Sequence, residues 1–258
     1  MELREFVETK FLAWVLIVTR NAGMFTIAPF FADWFVPLQV KVLLVVFLSW
    51  TVLPSISEVI PLHTPVAQIV LSMLSNYVIG LTIGFLALLP VIALSIAGEV
   101  FGTQMGFALS SVFDPQREEV PIHGELLYVF GLYIFVALKG HLLIYQAVVD
   151  SLNSIPVSKT LIDFNFVSVL TEKISEMFSI AMKIGMPMIG FMFVTSISLG
   201  IISRLVPQMN VFMVGMPLKI LVGFILMVGM IPVWADVFSQ IAARTINFLE
   251  FFVRSFSK

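Results

Sequence analysis

The stretch VAQIVLSMLSNYVIGLTIGFLALLPVIALSIAGE, residues 66–99, decides the fold. No charged side chain lies between Glu58 and Glu99. About 20 apolar residues in a helix cross the roughly 30 Å hydrocarbon core of a bilayer. The stretch therefore holds one long helix or two shorter ones. Its apolar residues do not alternate with period two, as the strands of a membrane barrel would.

The rest of the chain repeats this pattern. Further apolar blocks run over Phe11–Ala32, Val40–Ile56, Leu126–Val149, Met177–Ser203 and Leu205–Ala243. At about 20 residues per span they read as roughly six to eight helices. Of 258 residues, 59% are hydrophobic and 12% charged, with 16 acids against 14 bases and a net charge of −2. Soluble domains carry about 25% charged residues. A soluble enzyme, a disordered tail and a nucleic-acid binder are excluded, the last because scattered bases do not form a phosphate-binding groove. The expectation is one all-α, polytopic, membrane-associated unit spanning 1–258.

Orientation is not written in the loop charges. The segment from Asp114 to Glu125 carries Arg117 against four acids, and neither it nor the segment from Asp150 to Glu176 has the excess of Lys and Arg that marks a cytoplasmic loop. The first residues mix Glu2, Glu5 and Glu8 with Arg4 and Lys10, unlike the positive start of a cleavable signal, so the first apolar block is expected to be retained.

Pro29, Pro54, Pro90, Pro187, Pro207, Pro217 and Pro232 lie inside or at the ends of apolar blocks. Each lacks an N–H donor and obstructs the preceding turn. In hydrocarbon the freed carbonyls must be satisfied by protein. Together they suggest broken helices packed on protein rather than straight helices in lipid. Gly98, Gly102 and Gly106 repeat every fourth residue, and Gly80 and Gly84 form a second pair; such spacing lets another helix approach closely, within the chain or from a partner. Charges inside apolar blocks are costly unless paired or wet, which singles out Arg20, Lys41, Glu99, Lys183, Arg204 and Lys219. Lys41, near a block start, reads as snorkelling; Arg20 and Glu99 read as buried polar contacts.

Familiar chemistry is missing. His63, His123 and His141 lack metal-ligand spacing, there is no cysteine, and neither a phosphate-binding loop nor a GxSxG nucleophile occurs. No catalytic residue, cofactor or metal is assigned. The clusters Met182, Met186, Met188, Met192 and Met209, Met213, Met216 read as adaptable core filling, or as a deformable seal.

Four strings carry a resemblance. The first is Gly200, Ser203-Arg204, then Pro207-Gln208-Met209-Asn210-Val211-Phe212, Gly215, Pro217 and Leu218-Lys219. The second is Gln104-Met105-Gly106-Phe107-Ala108 followed by Asp114-Pro115-Gln116. The third is Gly140-His141 followed by Ser151 and Pro156. The fourth is Arg20 with Gly23, Pro29, Pro37, Lys41 and Pro54. Taken in their order along the chain, which they span nearly completely, they resemble the FliR family, the export-gate component of flagellar type III secretion, whose injectisome counterpart is the SctT family. The chain departs from the family pattern at Asn76, where an acid is frequent, at Ser158, where glycine is common, and at Lys139 and Leu142, where a second histidine or glycine often flanks Gly140-His141.

The resemblance implies a non-enzymatic subunit of helical hairpins, a FliP-like part joined to a FliQ-like part. It would assemble with FliP and FliQ in the flagellar basal body of the bacterial inner membrane, beneath the rod, with FlhB docked against it. Membrane lipid and unfolded export substrates are the other implied partners. By motif position the family's pore plug falls on the stretch from Gly106 to Ile122, with Gly106, Phe107, Ala108, Ser110, Ser111, Phe113, Asp114, Pro115, Gln116 and Arg117 as its residues. Small residues and the turn chemistry of Asp114-Pro115 suit a loop there. Arg20, Glu99, Arg204, Gln208, Asn210 and Lys219 are expected to make buried or assembly contacts, and Gly80, Gly84, Gly98 and Gly102 to pack helices. The alternative is a secondary transporter of a small solute, which also uses broken helices and intramembrane charges.

Overall fold

The structure is a computed structural model that describes residues 10–56, 58–61, 63–106, 122–159, 165–208 and 210–255. The described residues form seven α-helices and one 3₁₀ turn, with no strand among them. The helices are α1 (Phe11–Ile27), α2 (Leu38–Val52), α3 (Val66–Gln104), α4 (Ile122–Ala137), α5 (Gly140–Ser154), α6 (Asn165–Leu205) and α7 (Val211–Ser255), with the 3₁₀ turn Leu53–Ser55 after α2. This is an all-α polytopic protein. Four stretches are long and apolar enough to cross a membrane, 38–55, 66–104, 167–205 and 213–249, and the bent pair α4–α5 makes a fifth if counted as one span.

Proline punctuates the short helices. Ala28, before Pro29, is extended (φ −63°, ψ 138°) and ends α1; Ile155, before Pro156, is extended (φ −121°, ψ 107°) and ends α5. The ring of a proline disfavours the helical region for its predecessor. The carbonyls of Pro37 and Pro65 accept the first intrahelical N–H groups of α2 and α3. Inside long helices proline acts differently. Pro90 lies within the 39 residues of α3, Pro187 within the 41 of α6, and Pro217 and Pro232 within the 45 of α7. These helices continue through their prolines. The sharp break falls between α4 and α5, which meet at 67° around Leu138 and Lys139 with no proline present. Lys139 is left-handed there (φ 59°), and its carbonyl accepts the N–H groups of Leu142 and Leu143 that open α5.

The chain divides into two compact units. The first comprises residues 1–89, 135–173 and 242–258. Its core packs Ala13, Leu16 and Ile17 of α1 against Val52, Leu53, Ile56, Ile60, Leu152 and Val157. The second comprises residues 90–134 and 174–241. There Phe101 stacks on the buried Trp234 at 5.6 Å between ring centroids, and His123 sits edge-on to Phe101 and beside Phe224. Burying an aromatic pair of this kind is among the larger single contributions a core receives.

Candidate functional site: a buried arginine node and two glycine crossings

Arg20 is wholly enclosed in the first unit. A charge taken out of water is costly unless hydrogen-bonded, and its guanidinium fork meets acceptors on three sides. Nε donates to Oδ1 of Asn76 (2.9 Å), one Nη to Oγ of Ser151 (3.2 Å), and the other to the carbonyl of Ile155 (3.1 Å). Asn76 in turn donates from Nδ2 to the carbonyls of Ser72 (2.7 Å) and Val157 (2.8 Å). A carboxylate at position 76 could accept from Arg20 but could not donate to these carbonyls. The carboxylate whose charge acts on Arg20 is that of Glu58. It accepts the backbone N–H of Val157 (2.9 Å) and the hydroxyl of Ser158 (3.3 Å). Beside Arg20 in α1, the next residue Asn21 donates to Oγ of Ser49 on α2 (2.8 Å). The node ties α1, α2, α3 and α5 to the segments 56–60 and 155–158. It is an assembly of fixed polar contacts.

Close helix approach makes the node possible. A Cβ on Gly80 would collide with the carbonyl of Arg20, and one on Gly23 with the carbonyl of Tyr77. At Gly84 it would come within 2.9 Å of the Met24 carbonyl. Contacts with backbone, unlike contacts with a flexible side-chain tip, leave no easy relief. The α1–α3 crossing therefore runs glycine against backbone. In the second unit, α3 and α4 cross similarly. A Cβ on Gly98 would lie 2.5 Å from the carbonyl of His123, one on Gly102 3.0 Å from the His123 ring, and one on Gly124 2.6 Å from Glu99 Cγ.

The other sequence-derived positions lie apart. Gly106 follows α3 in a left-handed turn (φ 96°) with open space around it, so glycine is there for its backbone. Phe107 to Arg117, the remainder of the expected plug residues, lie outside the described residues. Glu99, Arg204 and Gln208 are exposed on this chain, and Lys219 is half-buried. Asn210 is exposed and caps α7: its Oδ1 accepts the N–H of Met213 at 3.3 Å. An Asn directly before an apolar helix is an N-cap signal, and sequence reasoning passed over it. Asn76 and Ser151 entered the sequence reading only through the family pattern, and Glu58 and the Asn21–Ser49 pair were not singled out as polar contacts. Among the described residues no group of three His, Asp or Glu side chains is placed to hold a metal ion.

Comparison with known proteins bears on the whole chain. Residues 11–245 match the family described as "Bacterial export proteins, family 1". The chain is similar to the flagellar biosynthetic protein FliR of Bacillus subtilis, 29% identical over 92% of this chain and 93% of that protein. It is 27% identical to that of Aquifex aeolicus over 98% of this chain and 96% of the relative. With that of Escherichia coli it shares 26% over 92% and 90%.

Proposed function

Because the chain belongs to the bacterial export proteins, family 1, we propose that it is the FliR-type subunit of a flagellar protein-export gate in the inner membrane. Its role is structural and gating rather than catalytic. It assembles with FliP and FliQ homologues, with FlhB against them and the rod above. Unfolded substrates pass through the shared pore, and the segment 106–122 closes it. The observation that carries this reading is the near end-to-end similarity to FliR proteins of three distant bacteria. A second fits it: α6 and α7 leave most of their apolar length uncovered by this chain. Ile197, Ile201, Leu205, Val214, Leu221 and Ile225 are all exposed, as a subunit meant for neighbours would have them. Arg204, Gln208 and Lys219 lie on or beside these faces, where polar contacts between subunits would form.

The test is co-expression with the FliP and FliQ homologues of the same organism, with and without residues 110–119. Both chains should co-purify with the partners, and only the shortened one should make reconstituted membranes leak ions. A monodisperse chain that binds neither partner sinks the gate reading. An assembled deletion variant with unchanged conductance sinks the plug assignment.

A further inference from the structure

The end of α3 is fastened to α7 by a methionine in a glycine notch. Phe101 and Met105, one turn apart on the same face of the helix, are both wholly enclosed. Phe101 stacks on Trp234 of α7. Met105 fills the place that a side chain at Gly223 of α7 would take: a Cβ there would lie 2.6 Å from both Cγ and Sδ of Met105. The overlap begins at Cγ, near the root of the methionine, so moving its tip alone would not relieve it. A methionine fits itself to an irregular notch, but an enclosed one has little empty space to retreat into.

The next residue is of the opposite character. The N–H of Met105 still donates to the carbonyl of Phe101 (3.1 Å), whereas that of Gly106 turns to the carbonyl of Thr103 (3.1 Å) and tightens the end of the helix. Gly106 is left-handed (φ 96°), and a Cβ on it would meet nothing within 4 Å. Helices commonly end on such a residue. Close packing therefore stops between residues 105 and 106. It resumes where α4 begins: a Cβ on Gly102 would lie 3.0 Å from Nδ1 of His123, directly after Ile122. Both flanks of the segment 106–122 are thus held at the last turns of α3, and all these residues belong to the second unit.

We propose that the Met105–Gly223 contact is a fixed seat that positions the gate segment 106–122, and that it stays closed whether the gate is shut or open. The proposal rests on the reading of 106–122 as the pore closure. Met105 and Gly223 act on the gate only by setting where the chain leaves α3 relative to α7. The test uses complexes co-expressed with the FliP and FliQ homologues and reconstituted, with the 110–119 deletion as the reference for an open pore. Gly223→Val overpacks the seat and Met105→Ala empties it; each should raise the ion leak of the assembled complex roughly tenfold. Combined, the two substitutions keep the total of side-chain heavy atoms, and the leak should return to within about twofold of the wild type. Assembled single variants as tight as the wild type overturn the seat, as does a pair that leaks as much as either single variant. If the deletion leaks while the seat variants stay tight, this proposal fails alone; if the deletion does not leak, the plug reading fails and takes the seat with it. The chain has no cysteine, so Met105→Cys with Gly223→Cys, which also keeps the heavy-atom total, supplies a second measure that does not depend on the single variants assembling. Oxidation should join the two residues, and the joined complex should export substrate in cells at no less than about half the rate of the reduced one, a disulfide spanning the gap that the methionine fills. Failure of the bond to form, or export lost on oxidation and restored by a reductant, overturns the fixed seat.

Discussion

Replacing Arg20 by Met should destabilise the first unit by about 3 kcal/mol. The change keeps an unbranched stem, shorter than that of arginine, and removes the five donors. Two buried acceptors lose a partner outright, Oδ1 of Asn76 and the carbonyl of Ile155. Ser151 loses less, because its hydroxyl still donates to the Val148 carbonyl. Each orphaned buried acceptor costs about 1–3 kcal/mol, and relief from burying a charge offsets part of the sum. At about 2–4 °C per kcal/mol for a protein of this size, the apparent melting point should drop by roughly 6–12 °C. Membrane proteins often unfold irreversibly, so all variants must be compared at one scan rate in one detergent or lipid. Arg20→Lys keeps the charge but not the planar fork, and should lie between the two. The decisive comparison is a double-mutant cycle with Asn76→Leu. If the two side chains hold each other, the double variant should lose less than the sum of the singles by about 1–3 kcal/mol. A melting point for Arg20→Met within 2 °C of the wild type, or strict additivity in the cycle, would show that the node carries none of the stability assigned to it.

Two further outcomes follow from backbone geometry. Gly98→Ala pushes a methyl to 2.5 Å from the His123 carbonyl, whereas Gly190→Ala on α6 enters open space; the first should lower the thermal midpoint, and the second should raise it slightly through about 1 kcal/mol of helix propensity. Equal effects of the two in a thermal-shift series would refute the crossing described for α3 and α4. Lys139→Gly removes the roughly 1–2 kcal/mol that a left-handed non-glycine residue costs, less the greater freedom of glycine in the unfolded chain, so it should raise stability by up to about 1 kcal/mol; a fall in the melting point would mean that the side chain of Lys139 outweighs its backbone.

Much of the architecture is visible in the charge-free run of residues 66–99 and in the blocks around it, because hydrophobic length needs no knowledge of partners. The stretch resolves into the single helix α3. What the sequence concealed depends on contacts between distant residues. Prolines suggested breaks, yet α3, α6 and α7 continue through theirs, and the sharp corner lies at Lys139-Gly140. No local composition marks that corner: Gly140 is required there because a Cβ would strike the ring of Phe135, which is a matter of packing. Arg20 was conspicuous as a charge among apolar residues, but its acceptors lie 56, 131 and 135 residues away, beyond the reach of any periodicity. The three departures from the family pattern now have places. Asn76 bridges Arg20 to the carbonyl of Val157, the hydroxyl of Ser158 holds Glu58, and Lys139 takes the left-handed position that glycine would occupy without strain. The expected plug residues from Phe107 to Arg117 fall outside the described residues, and Asn210, expected in a subunit contact, serves as a helix cap.

The lengths of α3, α6 and α7 have a consequence for what must surround them. At about 1.5 Å per residue these helices run some 58 to 68 Å, about twice the hydrocarbon thickness of a bilayer. Tilt and local thickening of the membrane absorb a few ångströms of hydrophobic mismatch, not thirty. A newly inserted chain that kept each of these helices straight would therefore leave several apolar turns in headgroups or water. In the assembly proposed above, other protein surfaces would replace the solvent that those turns otherwise meet.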